Sequence, residues 1–412
     1  MALRVAALVL ALIVSVALWR PVIADLLAPE GAIDEHSLLE AEWFVPESAV
    51  YPRRLGFIPY AVGGKSLKLA EERFTESLKR DPTNVKAWLT LAGVRLEMGD
   101  RNGAEFAVSR AHIFNRTVRD LVWEEGVLCL LLEKPGQAAG SFRRYLGLSL
   151  GDQHDVYSLF LSMGVKPSFM LEAVVPPSYE AHSGYLSFVQ GAGLVDDTAA
   201  AWEQLKAYGP KKPDYMQRID FLLQKDMIAE AVKVWDEYVK RFNIVEAQTS
   251  EQNLLWNGGF QLPLEEGGFD WRKGKAAGVR VFIDKDVKLG GDGSLSAMFD
   301  GRENPDIRLV QQIVPVSENT EYLLSGFIKT NNLTTKNGIF LEAFPYRCDT
   351  FYARTEAVTG TSFWKRVDTS FATPASCRTI VVAVRRETSQ KLDNRIGGDV
   401  WIDSLVLAQA QK

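Results

Sequence analysis

Several residue types are scarce in this chain of 412 residues, and each scarcity excludes a class of protein. There are three cysteines, too few for a small domain held together by a disulfide framework. The last of the four histidines is His182, so the second half of the chain has no histidine to serve as a general base or a metal ligand. Basic residues do not outnumber acidic ones, and a net charge of −5 argues against a general nucleic-acid-binding protein.

The content of apolar residues, in contrast, is sufficient for folded domains. Hydrophobic residues make up 47% of the chain and charged residues 24%, which are ordinary values for a folded globular protein. The length corresponds to two or three domains at about 150 residues each. The aromatic residues, 10% of the chain, are numerous enough for buried cores and for rings that contact a ligand.

The N-terminus carries a long uncharged run, VAALVLALIVSVALW, over residues 5–19 between Arg4 and Arg20. This is short for a membrane span of about 17–25 residues, but residues 2–23 nearly reach that length if the arginines extend to the interface. We predict that residues 1–24 form a retained transmembrane signal anchor or a signal peptide cleaved after Ala24. Both predictions place the bulk of the chain outside the cytoplasm, in the periplasm for an anchor in a bacterial inner membrane, or secreted after cleavage.

Residues 25–60 contain four prolines, which remove backbone donors and bias the preceding residues towards extended geometry. We predict a linker here, with one short helix over residues 37–44 that begins at a Ser37 cap.

Residues 61–243 show a period of 34 residues. Small or apolar residues recur at this interval: Ala70, Phe74 and Ser77, then Ala104, Val108 and Ala111, then Ala138, Phe142 and Tyr145. Trp88 opens a helix between the first two sets, and Gly99-Asp100 turns into the next helix. After residue 150 the period is looser, but residues 182–205 and 214–242 each have a helix-turn-helix pattern.

This pattern resembles the tetratricopeptide repeat (TPR). The resemblance implies an α-solenoid whose extended groove binds a protein partner. We interpret the tryptophans of this region as packing between repeats: Trp88, Trp123, Trp202 and Trp235.

From residue 253 to residue 409 short β-branched runs alternate with Gly, Asp and Asn clusters. Eight strands are predicted, over residues 279–283, 295–299, 307–316, 322–329, 338–343, 364–371, 379–386 and 400–407. This density of short strands and turns predicts an antiparallel β-sandwich. The fold class is therefore an N-terminal helix, an α-solenoid and a C-terminal sandwich.

Several motifs in this region occur in the order seen in carbohydrate-binding jelly rolls of the family 4, 9 and 22 type, which the region resembles. They are NLLWNGGF at residues 253–260, QQIVPV at 311–316, TEYLLSGF at 320–327, WKR at 364–366 and VWIDSLVL at 400–407. The resemblance implies a glycan partner held by exposed rings and polar side chains. The candidate ligand-binding residues are Trp271, Arg272, Arg308, Glu342, Tyr346, Tyr352 and Arg386, with Phe351 as a further ring.

Phe340, Glu342, Phe344 and Tyr346 share one strand face by their period of two. A carboxylate among rings is uncommon in a core, which favours a ligand face. In the alternative interpretation Phe340 and Phe344 are core residues and Glu342 sits at a strand end.

Relatives of this type hold a structural calcium through an acid after the NGxF motif and the aspartate of the last strand. Asp403 is present here, but Gln261 replaces the first acid, so we predict no cofactor. Cys348 and Cys377 lie at strand ends; they either pair, closing a loop of about 30 residues, or remain two separate thiols.

The sequence contains no phosphate-binding loop, GxSxG or HExxH motif, and we predict a protein without catalytic residues. The predicted function is a non-catalytic scaffold anchored in a bacterial envelope, in which repeats bind a protein and the jelly roll binds glycan, in exopolysaccharide or surface-glycan assembly or export. Two alternatives stay open: a structural assembly factor whose sandwich binds protein, and a glycan-active hydrolase that uses a pair of carboxylates.

Overall fold

The structure is a computed structural model that describes residues 15, 18–31, 33–115, 117–244, 253–348, 351–392 and 394–410. The chain divides into two compact units, Met1–Gly209 and Pro210–Lys412.

The first unit is helical. Residues 18–27 form a helix, and the helices after it are α1 Glu35–Phe44, α2 Val50–Val62, α3 Leu67–Arg80, α4 Val85–Glu97, α5 Arg101–Phe114, α6 Arg119–Leu131, α7 Pro135–Leu148, α8 Gln153–Ser162, α9 Pro167–Ala173, α10 Tyr179–Gly191 and α11 Val195–Ala207. Side-chain caps start several of them: the Asn84 carbonyl oxygen accepts from the Ala87 amide at 3.0 Å, and the Asp100 carboxylate from the Gly103 amide at 2.9 Å.

Neighbouring helices pack as pairs, α2 with α3, α4 with α5, α6 with α7, and α10 with α11. The residues that repeat every 34 positions explain the packing, since Ala104 and Ala138 are buried where paired helices approach each other. Gly126 serves the same purpose: a Cβ there would lie 2.7 Å from the Phe142 ring. The helical repeats predicted from the sequence are confirmed.

The prediction of a mostly extended linker over residues 25–60 is wrong. Most of this stretch belongs to α1, α2 and the end of the helix over residues 18–27. Pro52 falls in the first turn of α2, where a missing amide costs nothing. The short helix was correctly expected, but α1 begins at Glu35 because Asp34, rather than Ser37, caps it.

Most of the predicted N-terminal anchor, residues 1–14, 16 and 17, lies outside the described residues. Among the residues that are described, no helix is long and apolar enough to cross a membrane.

The second unit begins with two helices, α12 Lys212–Gln224 and α13 Ile228–Arg241. The described part of this unit then has ten strands: β1 Arg272–Lys273, β2 Val279–Asp284, β3 Ser294–Asp300, β4 Ile307–Pro315, β5 Glu321–Leu333, β6 Phe340–Pro345, β7 Ala353–Arg354, β8 Gly360–Ala372, β9 Thr379–Arg386 and β10 Gly397–Gln409. The eight predicted strands correspond to β2–β6 and β8–β10, and the two that the sequence missed have two residues each.

The strands form two antiparallel sheets, the first with the order β1-β4-β9-β6-β7 and the second with the order β2-β3-β10-β5-β8. Alternate residues of the longer strands enter one apolar core, for example Leu341 and Ala343 of β6 with Ile380 and Val382 of β9. The predicted antiparallel sandwich is confirmed.

Helices α12 and α13, which the sequence assigns to the repeats, pack on the sandwich. Trp235 of α13 meets Trp256 and Phe269 edge to face, at 5.1 and 5.8 Å between ring centroids. Asp220 of α12 accepts from Arg272 at 2.5 Å and from the Gly268 amide at 3.0 Å.

Candidate functional site

One surface of the sandwich carries charged and aromatic side chains in regular rows. It is the face of the first sheet opposite the core, and we call it the arginine face: Arg308 of β4, Arg385 of β9, Phe340, Glu342 and Phe344 of β6, and Arg354 of β7. The strand register aligns these residues, because Arg385 lies opposite both Arg308 and Phe340, and Glu342 lies opposite Arg354.

Glu342 is the centre of the arginine face. Its carboxylate is fully buried. One oxygen accepts from Arg308 Nε at 2.6 Å, and the other accepts from the Tyr352 hydroxyl at 2.8 Å and from Arg385 Nη1 at 3.4 Å. A buried carboxylate needs such partners because an unpaired charge in a low-dielectric environment is costly.

Tyr352 lies at the edge of this cluster. Its side chain is 51% exposed although its hydroxyl reaches Glu342. Partial burial, together with the hydrogen bond to the carboxylate, raises the pKa of Tyr352 to about 12. The hydroxyl therefore stays protonated at neutral pH and acts as a donor.

The two phenylalanines of the arginine face are each covered by an arginine. The Arg308 guanidinium lies 4.6 Å from the centroid of the Phe344 ring. The Arg354 guanidinium lies 5.5 Å from that of Phe340, which is only 4% exposed. These are cation–π distances.

A cleft of about 510 Å³ borders Arg308. It is lined by Lys273, Gly274, Lys275, Asp306, Ile307, Arg308, Gln311 and Arg385. Gly274 allows β1 to continue close against β4, because a Cβ there would lie 2.0 Å from the Arg308 carbonyl oxygen. The segment thus places Lys273 and Lys275 on the rim of the cleft.

The structure brings together three of the predicted ligand-binding residues, Arg308, Glu342 and Tyr352. The alternation of β6 predicted this face correctly, since Phe340, Glu342 and Phe344 all point away from the core. Tyr346 follows the end of β6; it is half-buried, and its amide donates to the Thr379 carbonyl at 3.2 Å.

Trp271 does not belong to the site, and the prediction that it stacks on a sugar is wrong. Its side chain is 0% exposed within the sandwich core, where its ring packs against Phe260 and its indole N–H donates to the Asn257 carbonyl at 3.2 Å. Phe351, the further candidate ring, stacks on Phe371 at the margin of the core.

Two predicted arginines also have other contacts. Arg272 donates to Asp220 and to the Gly268 carbonyl, so it ties α12 to the sandwich. Arg386 is 0% exposed and donates to the carbonyls of Pro305 and Asn394. Arg386 has no exposed surface with which to contact a ligand, so that prediction is wrong. The Arg272 side chain is 21% exposed, and its ligand-binding role stays a prediction.

Sequence reasoning missed Arg385, Asp306 and Lys275. Arg385 donates to both oxygens of Asp306, at 3.0 and 3.2 Å. The alternation of β9 contained a signal for it, because Val382 and Val384 point into the core and the next residue must point outward. Lys275 gave no signal, since it follows a strand of only two residues.

Two further predictions concern Asp403 and the cysteines. The Asp403 carboxylate is buried and accepts from the amides of Leu289, Gly290 and Ser404. Cys348 and Cys377 form a disulfide with a Cα–Cα distance of 4.9 Å. Of the alternatives left open by the sequence, the pairing of these cysteines is the one observed.

No family model matches this chain. No curated protein matches it either. Solved structures similar to this chain include proteins of both kinds that the sequence resembles. The helical part is similar to YrrB, "a TPR protein with an unusual peptide-binding site", with 14% identity and a TM-score of 0.27 over 50% of this chain and 93% of that one.

The C-terminal sheets are similar to carbohydrate-binding modules. One is a CBM4, with 14% identity and a TM-score of 0.28 over 38% of this chain and 99% of that one. Another is TmCBM61 in complex with β-1,4-galactotriose, with 16% identity and a TM-score of 0.27 over 39% of this chain and 100% of that one. Two enzymes also match, a bacteriophage CBA120 tailspike protein and a Clostridium thermocellum xylanase, of which this chain spans only 21% and 29%.

Proposed function

We propose that this chain is a non-catalytic scaffold of a bacterial envelope, in which the sandwich binds a glycan through the arginine face and the helical repeats bind a protein partner. The broader process would be the assembly or export of an exopolysaccharide or another surface glycan. The observation that carries the glycan part is the Arg308–Glu342–Tyr352–Arg385 cluster beside a cleft of about 510 Å³.

The composition of this face supports binding. A cleft of this size is within the range of small-ligand sites, and its lining is mainly charged and polar. Arg308 is held by Glu342 and by the Phe344 ring, so its guanidinium is oriented before a ligand arrives. Such pre-organisation reduces the entropic cost of binding.

The contacts of Glu342 favour a binding role over an acid–base role. Both of its oxygens accept hydrogen bonds, two of them from arginines. Arg308, Arg385 and the Tyr352 hydroxyl together hold the carboxylate in one position. A general acid in a glycosidase must instead be free to give a proton to the leaving group.

The helical unit offers an apolar surface for a protein partner. Phe106 and Ile113 of α5 are 55% and 51% exposed. They are seven residues apart and therefore lie on the same helix face. Exposed apolar anchors at this spacing are typical of helix surfaces that dock a partner.

An anchor that is retained, rather than cleaved after Ala24, is also part of the proposal. Ala24 is fully buried in a cluster with Leu38, Ala41 and Leu55. Arg20 also donates to the Phe44 carbonyl at 2.6 Å. Residues before the cleavage point thus take part in the fold of the first unit.

The test is affinity gel electrophoresis of the full chain against a panel of neutral and acidic polysaccharides. We expect retardation by at least one of them and a loss of about tenfold or more in affinity, about 1.4 kcal/mol, for Tyr352→Ala. Phe363→Ala is the matched control, because Phe363 is a 91% exposed ring on β8 of the other sheet.

Three outcomes would overturn the proposal. Retardation by no polysaccharide would favour a structural assembly factor whose sandwich binds protein. A loss of affinity in Phe363→Ala but not in Tyr352→Ala would indicate that the glycan binds to the opposite sheet. Release of reducing ends from the retained polysaccharide would instead indicate a hydrolase.

A further inference from the structure

We propose that the glycan bound by the arginine face is anionic, and that its carboxylate or equivalent acidic group is recognised by Arg308 and Lys275 at the cleft. This inference rests on the proposed glycan function and names the class of sugar. Three observations carry it: the covering of the aromatic rings, the unused donors of Arg308, and the charge of the cleft rim.

The first observation concerns the rings. A neutral sugar is held largely by stacking on a bare aromatic face, but Phe344 and Phe340 each have a guanidinium over the ring, at 4.6 and 5.5 Å from the centroid. What this surface presents to solvent at those positions is a cation. Tyr352, at 51% exposure, is left as an aromatic contact for the sugar ring.

The second observation concerns Arg308. Only its Nε donates a hydrogen bond within the fold, to the Glu342 carboxylate at 2.6 Å. Its two terminal nitrogens make no hydrogen bond with any residue that the structure describes, although the side chain is only 37% exposed. A guanidinium fixed at Nε and open at both Nη atoms presents the fork geometry that binds a carboxylate through two parallel hydrogen bonds.

The third observation is the charge balance. Four cationic side chains line the cleft, against one acidic side chain, Asp306. Carboxylates offset most of this charge, since Lys273 pairs with Glu266 at 2.7 Å, Arg308 with Glu342, and Arg385 with Asp306. Lys275 is exposed and has no ion pair among the described residues. The rim therefore keeps a positive charge that a neutral sugar would not use.

The chemistry of recognition follows from this arrangement. An acidic sugar unit would place its carboxylate between the Arg308 Nη atoms and the Lys275 ammonium. Both are charge-assisted donors, which bind a carboxylate about twice as strongly as neutral donors do. The interaction lies at the surface, so added salt should weaken it.

The experiment compares one polymer in two forms with the full chain: polygalacturonate and the same polymer after reduction of its carboxylates to alcohols. We expect affinity for the acidic form to be at least tenfold higher, and to fall as sodium chloride is raised from 50 to 300 mM (about 14 to 6 Å in Debye length). Lys275→Glu should abolish this preference. Lys285→Glu is the matched control and should leave the preference unchanged, because Lys285 is also an exposed lysine and directly follows β2 of the other sheet.

Arg308→Gln should also reduce the preference for the acidic form, but it removes a partner of the buried Glu342. Lys275→Glu tests the same site and leaves the partners of Glu342 in place. Equal or stronger binding of the reduced polymer would overturn the anionic inference and leave the glycan function standing. Equal binding of poly-L-glutamate would also overturn it, because charge alone would then explain the affinity. Binding of neither form nor of any other polysaccharide would refute the glycan function itself.

Discussion

The indole rings of Trp235 and Trp256 meet edge to face, with 5.1 Å between their centroids and 83° between their planes. Trp235 belongs to α13, and Trp256 belongs to the segment that opens the sandwich. This contact makes α12 and α13 part of the folding unit that contains the sheets, Pro210–Lys412.

A fragment of residues 210–412 should therefore fold, whereas residues 250–412 should be less stable and prone to aggregate. Without the two helices, Trp256 and Phe269 lose the ring they pack on, and Arg272 loses Asp220. Burying a large aromatic side chain contributes about 2–3 kcal/mol. Thermal unfolding and size-exclusion chromatography of both fragments would show the difference, and equal melting temperatures would contradict this prediction.

How much of the second unit can be predicted from the sequence depends on how regularly its apolar and polar residues are spaced. The alternation in β6 is enough to place Phe340, Glu342 and Phe344 on one face, because the side-chain period of a strand is fixed. It cannot place Trp271, which lies just before a strand of only two residues and therefore belongs to no alternating run. The 34-residue period identifies helix pairs, but nothing in it shows that Trp235 packs on the segment that opens the sandwich and not on another repeat.

Trp271→Ala should destabilise the second unit by about 3–5 kcal/mol, the usual cost of removing a large buried side chain. Its ring is 0% exposed, so no glycan contact is lost with it. The check is to measure unfolding and glycan affinity on the same preparation. A fall in affinity of the folded fraction, with unchanged stability, would restore Trp271 as a ligand-binding residue.

The disulfide should contribute about 3–4 kcal/mol to the second unit in the chain-entropy estimate, because Cys348 and Cys377 are 29 residues apart. Reduction, or the double substitution Cys348→Ser with Cys377→Ser, should lower the melting temperature of this unit. Reductant should have no further effect on the double variant. An unchanged melting temperature of the wild type on reduction would contradict the prediction.

The N-terminal helix gives a prediction about processing. Removal of residues 1–24 should destabilise the first unit, since Ala24 leaves the cluster around Leu38 and Arg20 leaves the Phe44 carbonyl. We expect mass spectrometry of the protein purified from its native host to detect peptides upstream of Asp25. A mature chain that starts at Asp25 would show that cleavage occurs.

Asp270 gives the second unit a specific pH dependence. Burial raises the pKa of its carboxyl from 3.8 to about 6, and the nearby Glu265 carboxylate raises it further. Hydrogen bonds from the Glu265 and Trp271 amides and the charge of Arg272 lower the pKa in part. Oδ2 accepts from the Glu265 amide at 2.6 Å, while Oδ1 is buried with no hydrogen-bond partner among the described residues.

Because the folded state favours the protonated carboxyl, the sign is the reverse of that for a salt-bridged aspartate. Below about pH 4 the group is protonated in both states. Between about pH 4 and 6 the unfolded chain releases its proton first, so the free energy of unfolding falls as pH rises, by about 3 kcal/mol in total. The asparagine side chain in Asp270→Asn has no charge at any of these pH values, so this fall in the free energy of unfolding should be absent from the variant.

The measurement is the free energy of unfolding of wild type and Asp270→Asn at pH 4 and pH 7. The difference between the two proteins should shift in favour of the variant by up to about 3 kcal/mol over this range. Asp292→Asn is the matched control, because Asp292 is an exposed turn residue, and its difference from wild type should show no comparable shift. A flat difference for Asp270→Asn would mean that the carboxylate is ionised at no cost in the folded state, and that its Oδ1 has a partner such as bound water.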